Sequence, residues 1–186
     1  MRNQDVGYVC YGLFKYLEEG YEDYEYELSR NGRWKYDNSY RTYMWIFYNV
    51  AGHWSFYYHG RWIWYFFYGY TWHSYDIWGW YIYYYGRWHW SHYDGWCWMP
   101  GYRWSPAWVF WGRYGNYYGW CPLSRHNRFV IVINKRWLKN HNYKNGIPIN
   151  ASSLIVIKKN QLLSSNIQKV VLKKGVISAK NLIFKG

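Results

Sequence analysis

A chain of 186 residues with a net charge of +13, 27% aromatic and 18% charged, has ring surface enough for the core of one domain with an appendage. No stretch of about 18 consecutive apolar residues occurs, which excludes a helix spanning a bilayer, and the apolar Tyr43–Tyr48 segment is too short for one. Three cysteines, Cys10, Cys97 and Cys121, suit neither a disulfide framework nor a four-ligand zinc site. A single Cys97–Cys121 bridge ranks below a pair of buried thiols.

Residues 1–30 are an acidic segment, with seven carboxylates against Arg2, Lys15 and Arg30. The stretch from Leu13 to Leu28 is the one candidate helix. The first residues show no basic start, apolar stretch and small-residue cleavage site, so no export signal is visible in this chain.

Residues 31–124 hold 16 of the 17 Trp and repeat internally. Gly32-Arg33-Trp34, Gly60-Arg61-Trp62, Gly86-Arg87-Trp88 and Gly112-Arg113-Tyr114 recur 28, 26 and 26 residues apart. At the 26-residue offset Trp64 matches Trp90, Gly69 matches Gly95, Trp72 matches Trp98 and Trp78 matches Trp104. Inside a unit the rings alternate at period two around a turn: Trp62 and Trp64, then Tyr68-Gly69, then Tyr70 and Trp72. The next unit repeats this with Trp88, Trp90, Asp94-Gly95, Trp96 and Trp98. This pattern predicts an all-β domain of tandem antiparallel hairpins, arranged as a meander, a small barrel or a short solenoid, with turns near Gly69, Gly95 and Gly101.

Residues 125–186 carry 13 Lys and Arg and no acid, and their apolar residues switch from aromatic to Ile, Val and Leu. Phe129–Ile133, Leu154–Ile157 and Val170–Leu172 read as short strands, some pairing with the aromatic unit. Asn145-Gly146 and Lys174-Gly175 read as turns. The expectation is a basic, β-rich C-terminal extension beginning near residue 125.

The most specific segment runs from Gly95 to Leu123. It contains Gly95-Trp96, Trp98, Pro100-Gly101, Trp104, Pro106-Ala107-Trp108-Val109, Trp111, Gly119-Trp120 and Pro122-Leu123, preceded by Tyr85-Gly86-Arg87-Trp88. In these motifs the chain resembles a bacterial family of uncharacterised Tyr/Trp-Gly-rich repeat domains, numbered sixty-six hundred among the domains of unknown function. The resemblance covers about residues 30–124. It implies an exported protein of the Gram-negative periplasm or cell envelope and brings no catalytic residue or cofactor with it.

The residues themselves point away from catalysis. Asp76 and Asp94 would have to meet to form an acid/base pair, and Asp94 is better explained as a turn residue. Cys97 lies between two Trp in a strand, where a structural cysteine is ordinary. His89 and His92 precede Cys97, but no second ligand pair completes a zinc site, so neither metal nor cofactor is expected. Arg33, Arg61, Arg87 and Arg113 read as latches between hairpins in preference to a row of anion sites. So many rings exceed what one core can hide, and exposed aromatic patches mark binding sites. Trp62, Trp64, Trp88, Trp90, Trp96 and Trp98 are the candidate set. The expected function is a non-enzymatic binding or scaffold module of the envelope whose partner is a glycan or cell-wall polymer, or another protein. Nucleic acid held by the basic C-terminal region and pure self-association are the alternatives.

Overall fold

A computed structural model describes residues 21–48, 55–133, 136–137, 147–148, 152–172 and 183–184. Helix α1 (Tyr21–Asn31) leads into hairpin β1 (Gly32–Asp37) and β2 (Thr42–Phe47). Hairpin β3 (Gly60–Tyr65) and β4 (Gly69–Ser74) follows, then the short helix α2 (Gly79–Tyr84). Next come hairpins β5 (Tyr85–Ser91) and β6 (Gly95–Trp104), and β7 (Val109–Tyr114) and β8 (Tyr117–Pro122). The protein is mainly β and antiparallel, a meander-like set of hairpins with no closed barrel among the described residues. It is not a stack in chain order either, because β2 pairs with β6 to give a four-stranded sheet β1-β2-β6-β5 that bypasses the β3–β4 hairpin. The candidate helix is described from Tyr21 to Asn31, past its expected end at Leu28; residues before Tyr21 lie outside those described.

The repeated Gly-Arg-Trp has a steric explanation. Each hairpin sets one Trp directly across from another: Trp34 and Trp45, Trp62 and Trp72, Trp88 and Trp98, Trp111 and Trp120. Strand side chains alternate between faces, so the Gly two residues before the first Trp lies on the same face as the pair. The partner-strand indole fills the space above that Gly. A Cβ at Gly60 would come 2.6 Å from Trp72 Cζ2, and one at Gly86 would come 2.7 Å from Trp98 Nε1. The Trp45 indole crowds Gly32 in the same way. Arg, between Gly and Trp, is placed on the opposite face.

Two sequence expectations are corrected here. Gly112-Arg113-Tyr114 ends β7 instead of opening it. Measured from the Trp pair, Val109 and Phe110 hold the places that Gly and Arg hold in the other hairpins. Gly101 is not in a turn; it lies inside β6, where a register irregularity between Tyr85 and Arg87 brings Gly86 against it. A Cβ at Gly101 would lie 3.0 Å from the Gly86 Cα. The turns at Gly69 and Gly95 do exist, with φ of 72° and 74°.

The bases of the hairpins converge on one aromatic core in which Trp45, Trp62, Trp72, Trp88, Trp98 and Trp120 are fully buried. Tyr57 lies at its centre, stacked on Trp62 and edge-on to Trp72. Its hydroxyl donates to the Tyr83 carbonyl at 3.0 Å and accepts from the Trp108 amide at 2.9 Å. Buried indoles need acceptors. Trp45, Trp98 and Trp120 donate to the carbonyls of Leu28, Tyr85 and Tyr57, while the Trp62 and Trp72 Nε1 atoms have no partner.

The C-terminal extension joins this core. Strand β12 (Ile155–Lys158; β9 to β11 and β13 are two-residue strands at 132–133, 136–137, 147–148 and 183–184) pairs with β8. Ile157, Leu162 and Ile167 enter the main core, and Ile131, Leu154 and Val156 pack around Cys121. Val170–Leu172 is not a strand; it follows a 3-10 turn at Ile167–Lys169, and Leu172 donates its amide to the Val156 carbonyl. The turns expected at residues 145–146 and 174–175 lie outside the described residues.

Candidate functional site

The rings divide by height along a hairpin as well as by face. In β3–β4, Trp62 at the base is 1% exposed and Trp64, two residues further on the same face, is 58% exposed. Beyond Trp64 the chain turns through Phe66 and Phe67, exposed by 87% and 86%, and returns through Tyr68 and Tyr70. Together these residues form an aromatic finger. Its conformation is held by a Tyr68 amide to Tyr65 carbonyl bond of 3.3 Å, by the left-handed Gly69, and by the Trp64 ring lying over that glycine. Trp64 and Tyr70 meet edge-to-face at 4.8 Å, and Phe66 and Phe67 at 5.1 Å. From residue 60 to 75 the only formally charged side chain is Arg61, and no carboxylate occurs.

The finger continues into a ridge. Tyr68 packs on Trp104 at 4.9 Å, Trp104 on Tyr84 at 6.0 Å, and Tyr84 on Trp80 of helix α2 at 4.7 Å. Tyr84 is anchored by donating its hydroxyl to the Trp72 carbonyl. Trp80, Tyr102 and Trp104 are exposed beside Arg103. The finger and ridge thus present exposed rings on a hydrogen-bonded hairpin framework.

Of the six candidate Trp, the structure therefore places Trp62, Trp88 and Trp98 in the core, closed to any ligand, and Trp64 in the finger. Trp90 and Trp96 are half-buried and meet edge-to-face at 5.0 Å near the tip of β5–β6. That tip differs in chemistry. Its turn is His92-Tyr93-Asp94, and Asp94 is tied to Arg33 at 2.9 Å and Lys35 at 2.6 Å. Tyr65, Phe66, Phe67, Tyr68 and Tyr70 are not among the candidate rings, which are all Trp. The signal was in the repeat: the offset that matches Gly69 to Gly95 matches Phe66-Phe67-Tyr68 to His92-Tyr93-Asp94, an evident turn.

The arginines do not form a row. Arg33 reaches the β5–β6 turn through Asp94. Arg87 lays its guanidinium 3.1 Å over the Trp108 ring and forks onto Asn127 Oδ1 from Nε and Nη2. Burial pulls the Arg87 pKa down to about 10. Arg61 is half-buried with its Nε unpartnered, and Arg113 is exposed.

The acids are each committed to separate networks. Asp76 accepts from Tyr83 and Ser74 and pairs with His59 at 2.9 Å, while Asp94 holds Arg33, Lys35 and Ser91. Cys97 and Cys121 are free, buried thiols in different clusters. Burial pushes Cys97 up to about 12, the reverse of the depressed pKa that activates a nucleophilic thiol. No three His, Cys, Asp or Glu side chains gather as a metal site among the described residues.

Comparison with known proteins adds one result. The model of a family of unknown function (DUF6600) matches residues 25–127, from α1 past the end of β8 and so across all four hairpins. No curated protein and no solved structure matches the chain. With more than half of its length inside that match, the chain belongs to the DUF6600 family.

Proposed function

We propose that this protein is a non-enzymatic binding module of the bacterial envelope that holds a glycan or cell-wall polymer against the aromatic finger of β3–β4. The observation that carries the reading is the joint exposure of Trp64, Phe66, Phe67 and Tyr68 on a hairpin whose base is locked into the core by Trp62 and Trp72. Exposed rings gain by covering apolar surface. Sugar faces offer such surface, and the tyrosine hydroxyls along the finger and ridge offer hydrogen bonds to sugar hydroxyls. The envelope location comes from the family resemblance.

The test uses the sister hairpin as donor. Replacing Phe66→His, Phe67→Tyr and Tyr68→Asp writes the β5–β6 turn into β3–β4, leaving Gly69 and the buried Trp pair in place. Binding to insoluble peptidoglycan and soluble glycans is measured at 50 and 200 mM salt beside an oligonucleotide of arbitrary sequence. Glycan retention that changes little with salt and falls at least about tenfold (about 1.4 kcal/mol) in the triple variant is expected. Oligonucleotide binding that weakens by roughly 10³–10⁵ over that salt range, with no glycan retention, would replace this reading with nucleic-acid binding by the basic extension. Retention of neither, with concentration-dependent association, would make the finger a self-association surface.

A further inference from the structure

We propose that the outer face of the four-stranded sheet is a binding site for a soft monovalent cation, Cu(I) or Ag(I), ligated by the sulfur atoms of Met44, Cys97 and Met99. The site is independent of the aromatic finger. The inner face of the sheet carries Trp pairs, whereas the outer face packs Met44, Ile46, Cys97 and Met99 into a separate buried cluster. Met44 and Met99 are the chain's only methionines besides Met1, and both fall in this cluster with one of its three cysteines. The other buried clusters are filled almost wholly by aromatic and branched aliphatic side chains, so a concentration of sulfur here is a departure.

Register brings these atoms together. Trp45 faces Trp98 and Ile46 faces Cys97 across β2 and β6, and one further step in that register sets Met44 opposite Met99. Cys97 and Met99 are two apart on β6, on one face, and facing residues in such a pair stand roughly 4.5–5.5 Å apart at Cβ. Flexible thioethers can close that distance onto one ion. On the other side, β5 sets the buried His89 directly across from Cys97. Tyr40 covers His89 edge-on at 5.0 Å, and Arg125 holds the Tyr40 carbonyl at 3.0 Å, so the β1–β2 turn packs over this cluster.

The donor set selects the ion. Thiolate and thioether sulfurs favour soft metals, and the carboxylates whose charge reaches Cys97 are engaged elsewhere, Asp94 by Arg33 and Lys35 and Asp37 by the Ser39 and Tyr40 amides. Charge selects the valence, since a monovalent cation and one thiolate make a neutral unit, whereas a divalent ion would leave an uncompensated positive charge in a dry site. Binding breaks the Cys97 S–H bond and forms one metal–thiolate bond beside two metal–thioether bonds; the proton leaves to solvent and no electron is transferred. Both thioethers donate lone pairs and release no proton. An ordinary thiol, with a pKa of about 8.5, is protonated at neutral pH, so the bound ion displaces that proton. Affinity therefore rises about tenfold per pH unit across the neutral range.

The experiment is a titration of the reduced full chain, with Cys10→Ser to remove the third thiol, using Ag(I) directly and Cu(I) in competition with a chelator without oxygen. One ion and one released proton per chain, with the tenfold pH slope, are expected. Met44→Leu with Met99→Leu keeps side-chain volume and so the fold, and it should weaken binding by at least about tenfold, as loss of two soft ligands requires. Cys97→Ser should abolish it, while Cys121→Ala should leave it unchanged. Parent affinity in the double Met variant, binding without proton release, loss of binding with Cys121→Ala, or no binding that survives the competing chelator would each overturn the proposal.

Discussion

Replacing Gly60 by Ala isolates the steric role of the repeated glycine. The new Cβ would lie 2.6 Å from Trp72 Cζ2 and nearer still to the His73 carbonyl oxygen. Restoring ordinary contact at about 3.4 Å requires the indole to withdraw by about 0.8 Å. It has little room to do so, because Trp72 is fully buried with Tyr57, Trp62 and Tyr83 around it. The backbone clash also pushes β3 and β4 apart. Overpacking of this kind costs about 1–3 kcal/mol. Gly60 is not among the positive-φ residues, so Ala recovers about 0.4–1 kcal/mol by restricting the unfolded chain. A net loss of about 1 kcal/mol follows, lowering Tm by about 2–4 °C for a chain of this size. Gly95 is the contrast: it has φ of 74° and nothing nearer than 3.9 Å, so its constraint is conformational. Asn tolerates that conformation. Gly95→Asn should therefore melt near the parent, and Gly60→Asn far below it. Thermal and denaturant unfolding of the four proteins decides the matter, and a Gly60→Ala variant as stable as the parent would refute the slot explanation.

Two further predictions concern the latches. Arg87→Lys keeps the charge but loses the planar stack on Trp108 and the fork onto Asn127, so it should cost about 1–2 kcal/mol in denaturant unfolding. Arg113→Lys, at an exposed site, should cost nothing measurable. Asp94→Asn should cost about 1 kcal/mol at neutral pH, an amount limited by the half-exposed Arg33 and Lys35. Burial acts to raise the Asp94 pKa, but Lys35, Ser91 and Arg33 together outweigh it and hold the carboxyl below its ordinary 3.8. A depressed carboxylate stabilises the fold above its unfolded pKa and loses that contribution as pH falls through the folded one. The gap between parent and variant should be complete at neutral pH and vanish in acid.

The hairpins were legible because strand alternation, turn glycines and a fixed repeat offset all agree on them. What the residues hid was distance from the core. Trp62 and Trp64 have the same type and face and stand two residues apart, yet one is buried and the other exposed, because the hairpin outreaches the core at its tip. Alternation reports the face of a strand and carries no information about height along it. The fourth repeat misled for a related reason. Gly112-Arg113 copies the motif's letters, but the equivalence that matters is the facing Trp111–Trp120 pair, which is a relation between strands. The pairing of β2 with β6 is likewise non-local, and no local signal announces it.

The two sister hairpins then supply an internal argument about the finger. Both bury a Trp pair at the base, both rest a Trp over a left-handed turn glycine, and both therefore meet the folding requirement. In β5–β6 the turn is polar and spent on structure, with Asp94 joining it to β1 through Arg33 and Lys35. In β3–β4 the equivalent positions are Phe66, Phe67 and Tyr68, and neither Phe is needed by the core. Folding alone would be served by the polar turn, which also avoids exposing apolar surface. Two nearly fully exposed phenylalanines in its place cost solubility and add nothing to the core, which supports the proposed binding role of the finger.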